Sequence, residues 1–165
     1  MKKFLKQSKS GKLLVIGMIA AVCVVFTGCS KAEQDRETRG FVEFTYIEEE
    51  YLATLECLDF PEGTVLPEKL EGEDRESSFQ VGYGETRACN LWEYLWMQEW
   101  LDTYTTDSER AEQALNELEE AFDMAYMGED RCDDATRNYL RENIDKAKAG
   151  DPSGFEECIR VNYAG

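Results

Sequence analysis

Apolar and polar positions along the chain fall into blocks of different period. Phe41-Val42-Glu43-Phe44-Thr45-Tyr46-Ile47 is rich in β-formers, whereas Glu48 to Leu58 has helix formers with apolar residues at Tyr51, Leu52, Leu55 and Leu58. The first stretch predicts an extended segment and the second a helix. Pro61-Glu62-Gly63 and Pro67 break the pattern, and residues 68–84 form a charged, Gly- and Ser-containing loop. Residues 89–104 contain neither proline nor glycine and carry Leu91, Trp92, Tyr94, Leu95, Trp96, Met97, Trp100 and Leu101 almost all round a helical wheel. A helix of that kind packs on two sides, so it is expected at the centre of the fold.

Later segments carry start and stop signals as well as periodicity. Thr106-Asp107-Ser108-Glu109 has capping-box spacing, and Ala111, Ala114, Leu115, Leu118, Ala121, Phe122 and Ala125 follow as one stripe, predicting a helix to about Met127 that Gly128 ends. A further helix is predicted over residues 133–149, with Ala135, Tyr139, Leu140, Ile144 and Ala147 inward and Gly150 as a left-handed stop. Asp151-Pro152 then reads as an N-cap and first helical residue, with Phe155, Cys158 and Ile159 facing the core. Short connections between consecutive helices favour a mainly α, up-and-down bundle, crossed by the N-terminal extended segment and the long loop. Residues 41–165 are expected to form this single domain, since the 137 residues from Cys29 onward are too few for two ordinary lobes.

The N-terminus has a different character. Lys2, Lys3, Lys6, Lys9 and Lys12 form a basic region without acids, and Leu13 to Phe26 is a 14-residue apolar run, shorter than the ~20 residues of a spanning helix. Phe26-Thr27-Gly28-Cys29 closes the run with small residues before a cysteine. This end resembles the signal peptide and lipobox of bacterial lipoproteins, although Phe26 stands where leucine is commonest. The resemblance covers residues 1–28 as signal and implies cleavage between Gly28 and Cys29 by the lipoprotein-processing enzymes, with diacylglycerol on the Cys29 sulfur. It implies an extracytoplasmic protein held to the membrane by that lipid, with residues 29–40 as a polar tether. Ser30 is not the aspartate that retains some lipoproteins at an inner membrane, so an outer membrane is the expected address where the host has one.

Charge and composition then narrow the chemistry. The chain has 18 basic and 35 acidic residues, a net of −17, and loss of the five signal lysines takes this to −22. Such a surface repels phosphate backbones, which excludes nucleic acid as a partner. No histidine is present, which excludes a Ser-His-Asp triad, a Cys-His dyad and the usual zinc sites within the chain. No cofactor or metal is expected: the acids at Glu129, Asp130, Asp133 and Asp134 lack the alternating ligands and glycine of an EF-hand loop. Four cysteines remain beyond the signal and Cys29, an even number for an oxidising compartment, and two disulfides are expected. Bundle geometry favours Cys89 with Cys132, leaving Cys57 with Cys158.

Two features bear on function. Trp92, Trp96 and Trp100 advance by four residues and drift only ~40° per step, forming a stripe that serves as core if buried or stacks on a glycan or protein partner if exposed. Glu93 and Glu99 lie beside it, the carboxylates that a small glycan hydrolase of the envelope would use. The favoured expectation is a non-catalytic binding or interaction module of the cell envelope, with the hydrolase as the alternative.

Overall fold

The computed structural model describes residues 40–163. The signal, the lipobox and residues 29–39 of the tether lie outside them. Among the described residues the fold is mainly helical, with five α-helices and one two-stranded antiparallel ribbon, and no helix is long and apolar enough to cross a membrane.

Strand β1 (Phe41–Glu43) leads directly into α1 (Phe44–Cys57). The helix begins four residues before the sequence pattern placed it. Phe44, Ile47, Tyr51 and Leu55 are all buried at three- and four-residue steps, so burial of one helical face overrides the β preference of Phe44 to Ile47. The predicted loop over residues 68–84 contains β2 (Ser78–Gln80), which pairs with β1 so that Val42 lies opposite Phe79 and both side chains face inward.

Helix α2 (Tyr83–Thr103) is the centre of the molecule, 21 residues and ~30 Å long. One side packs on α1 and the ribbon, where Ala88 joins a core of Val42, Phe44, Ile47, Tyr51, Leu55, Leu70 and Phe79. The other side presents Cys89, Trp92, Trp96, Met97 and Trp100 to a second core, shared with the three helices that follow. The near-complete apolar wheel is therefore divided between two cores. Glu50 of α1 ties the two helices together. Its Oε1 accepts the Gly82 N–H at 2.9 Å and its Oε2 accepts those of Gly84 and Glu85 at 2.8 and 3.3 Å, satisfying open donors at the start of α2. Gly84 permits this closeness, because a Cβ there would lie 2.1 Å from the Ile47 carbonyl oxygen.

The remaining helices are α3 (Ser108–Glu120), α4 (Asp134–Lys148) and α5 (Ser153–Asn162). Contacts run α2 to α3, α3 to α4, α4 to α5 and α5 back to α2, closing a ring around the second core. Asp107, one residue after Thr106, caps α3 by accepting the Arg110 N–H. Asp133 caps α4 by accepting the Thr136 N–H at 2.7 Å. Gly150, at φ 79°, ends the following turn in the left-handed region. Beyond α3 the predicted helix does not continue to Met127. It gives way to two 3-10 turns, Ala121–Asp123 and Ala125–Met127, with Met124 extended between them.

The expected disulfides do not form: Cys57, Cys89, Cys132 and Cys158 are all free thiols. The Cys89–Cys132 pairing assumed that Cys89 starts its helix. Helix α2 begins at Tyr83 instead, which puts Cys89 six residues, ~9 Å, into the helix with its side chain in the core. Cys57 ends α1 in an exposed position, while Cys158 is buried on α5 in the ring of helices, so the second pairing also lacks its geometry.

Candidate functional site

The three tryptophans are core residues. Trp92, Trp96 and Trp100 are 1%, 2% and 2% exposed, and Trp96 Nε1 donates to the Asp59 carbonyl at 3.1 Å. Trp100 stacks on Tyr104 and meets Phe155 edge-on. Their stripe offers no platform at the surface.

Nor does the fold assemble Glu93 and Glu99 into a pair. Glu99 is claimed by α3, where Arg110 Nε and Nη2 donate to its two oxygens at 2.7 and 2.9 Å. Glu93 points into the ring of helices and is only 7% exposed. Its Oε1 accepts the Tyr126 hydroxyl at 2.5 Å. That contact depends on the end of α3, because the extended residue Met124 redirects the chain and places Tyr126 against α2. Among the described residues nothing hydrogen-bonds Oε2 of Glu93, and no cation is placed to compensate the carboxylate. Burial accordingly pushes the Glu93 carboxyl up to about 7, and the Tyr126 hydroxyl only partly opposes this. Burial, reinforced by the Glu93 charge, raises the Tyr126 phenol.

Glu93 lies on a cleft of about 550 Å³ walled by α2, the second 3-10 turn, residues 131–133, α4 and α5. Polar side chains on its walls include Thr86, Asn90 and Asn162, and apolar surface comes from Met97, Met127, Leu140 and the rings of Tyr139 and Tyr163. The wall cations have partners. Arg131 reaches the Glu85 carboxylate, the Gly82 carbonyl at 2.5 Å and Thr86 Oγ1 at 2.8 Å, while Arg87 Nε lies 3.2 Å from Glu73. Gly82 admits Arg131: it adopts φ 89°, and a Cβ there would lie 2.6 Å from Nη2.

Three thiols surround this carboxylate. Cys132 and Cys158 line the cleft, and Cys89 sits one helical turn before Glu93. Burial pushes the Cys89 thiol up to about 12, with the Glu85 and Glu93 charges adding to it, and burial also raises Cys132 and Cys158. These are protonated thiols near neutral pH, poor nucleophiles and poor metal ligands. Among the described residues no group of acids and cysteines is arranged to hold a metal ion, the acids at 129–134 included.

Gly28 and Cys29, the sequence-predicted processing site, lie outside the described residues. Sequence reasoning identified Glu93 but missed Tyr126 and Arg131, whose roles depend on contacts between distant segments. Compared with family models, curated proteins and solved structures, the chain finds no significant match.

Proposed function

We propose that the chain is a lipid-anchored, non-catalytic binding module of the bacterial cell envelope, with its ligand held in the cleft over Glu93. The observation that carries this reading is the half-satisfied Glu93 carboxyl, buried on the floor of a cleft large enough for a small molecule or a side chain. A fold that merely needed to fill this space would be more stable with an apolar residue there. The lipobox at Phe26 to Cys29 supports attachment through lipid on Cys29, after cleavage at Gly28. The polar segment that follows serves as a tether, and the strongly acidic surface keeps the domain off anionic headgroups. Partners are then the membrane, the lipoprotein-processing enzymes and an envelope protein or glycan.

Crosslinking of intact cells followed by recovery of the tagged protein tests this reading. A discrete partner lost in a folded variant that fills the cleft from its partly exposed wall, such as Asn90→Trp, supports it; an unchanged partner set places binding elsewhere. Cys29→Ala is expected to leave an unprocessed precursor, and recovery of the wild type in the aqueous phase with an unmodified Cys29 refutes the anchor.

One observation favours a second reading, a glycan hydrolase. A carboxyl pushed up to about 7 holds a proton in the range where a general acid works. Such an enzyme also needs a second carboxylate across the scissile bond, and the Arg110 fork already occupies Glu99. Cleavage of envelope glycan by wild type but not by Glu93→Gln would establish it.

A further inference from the structure

The four charged side chains on the cleft are Arg87, Glu93, Arg131 and Asp133. Arg87 is paired with Glu73 and Arg131 with Glu85, and Asp133 accepts the Thr136 N–H as the cap of α4. Glu93 alone lacks an ionic or backbone partner, and its one hydrogen bond comes from a neutral phenol. A ligand that completes it has to bring a positive charge and an N–H donor. The rest of the wall is mixed: Thr86, Asn90 and Asn162 are polar, and the Tyr139 and Tyr163 rings supply apolar surface.

We propose that the cleft binds an organic ammonium ion, whose N–H donates to Oε2 of Glu93 while its hydrocarbon part lies against the Tyr139 and Tyr163 rings. This rests on the binding-module reading and supplies its ligand class. The ammonium takes the place of solvent at Oε2, the oxygen without a protein partner, forming a charge-assisted hydrogen bond. Selectivity follows from the same geometry. An anion would meet the bare Glu93 oxygen and gain only guanidiniums already held by acids, and a neutral alcohol would leave the charge uncompensated. The acidic exterior, with 35 acids against 18 basic residues in the chain, concentrates cations at the mouth.

Affinity should depend on pH through Glu93, because only its ionised form attracts the ammonium. The groups that face it stay in one state between pH 6 and 8. Burial raises Cys89 on α2, Tyr126 on the 3-10 turn, Cys132 on the loop, Cys158 on α5 and Tyr163 beyond it, which keeps them neutral. On α4, Tyr139 is likewise raised, chiefly by burial; Asp133 is lowered, chiefly by the Thr136 backbone N–H, and stays ionised. Arg87 and Arg131 face the cleft already paired with Glu73 and Glu85.

Isothermal titration calorimetry on the full-length protein in detergent, with n-butylammonium, butan-1-ol and butanoate as probes, tests this. The expected result is binding of n-butylammonium alone, about tenfold weaker at pH 6 than at pH 8 as a carboxyl near 7 takes up its proton. Glu93→Gln is expected to lose at least about tenfold at pH 8; if that variant does not fold, the wild-type pH profile decides. Butylammonium affinity that is the same at both pH values, or that survives Glu93→Gln, overturns the proposal. Preference for butanoate overturns the ammonium class and leaves the binding module standing. No binding of any probe overturns the class, and combined with no partner in the crosslinking experiment it overturns both readings.

Discussion

Replacing Glu93 by glutamine should change the pH dependence of stability more than it changes stability itself. The glutamine carbonyl still accepts the Tyr126 hydroxyl, and the amide fills the same volume, so the packing around it is preserved. What disappears is a proton. In the unfolded chain a glutamate carboxyl titrates near 4.5, and in the fold burial pushes Glu93 up to about 7. Well below 4.5 both states carry the proton and Glu93 adds no difference. Between 4.5 and 7 the unfolded chain ionises first, so stability falls as pH rises. Above 7 both states are ionised, and the loss has reached its full size of about 3 kcal/mol, since each tenfold change in proton affinity is worth ~1.4 kcal/mol. Urea unfolding of wild type and Glu93→Gln at pH 4.5 and pH 8 isolates this, because every other acid contributes equally to both proteins. The variant is expected to gain about 3 kcal/mol on wild type between the two pH values. Parallel profiles, differing by less than about 0.5 kcal/mol, would refute the claim that Glu93 is ionised at a cost inside the fold.

Other substitutions test the packing on either side of α2. Trp96→Ala removes a 2%-exposed indole together with its hydrogen bond to the Asp59 carbonyl, and is expected to cost ~3–5 kcal/mol in urea unfolding; a loss under about 1 kcal/mol would show that the indole is not core. Gly84→Ala puts a Cβ 2.1 Å from the Ile47 carbonyl oxygen, so α1 must move, at an expected cost of ~1–3 kcal/mol. An unchanged melting temperature would mean that the two helices do not approach this closely. In the native protein a maleimide should label exposed Cys57 quickly and buried Cys89 and Cys158 only after unfolding. Labelling of Cys57 that requires prior reduction would contradict its free thiol.

Local signals along the chain were enough to place the starts of the later helices to within a residue or two and to make α2 central. They did not fix every detail: α3 ends at Glu120, Pro152 and not Asp151 is the cap of α5, and Tyr139, expected inward, is 41% exposed. Asp133 caps α4, Gly150 stops the turn after it, and the stretch from Cys89 to Tyr104 is too apolar to leave any face in water. Signals of that kind are complete within a few residues, because a helix satisfies its own backbone and announces its buried face by period. Tertiary contacts settled the rest. Strand β2 exists because β1 lies beside it, and Phe79 alone offered no periodic pattern. Helix α2 starts at Tyr83 because Glu50, from another helix, holds its first N–H groups, and that early start carries Cys89 away from the helix end where a disulfide was expected. The candidate site was legible only as one glutamate among many. Its character depends on an irregular turn at Met124 that places Tyr126 over Glu93, on a gap between α2, α4 and α5, and on wall arginines already occupied by other acids. Each is a contact between segments far apart in sequence. Burial, the quantity that shifts a carboxyl, belongs to the packed chain and not to any stretch of it.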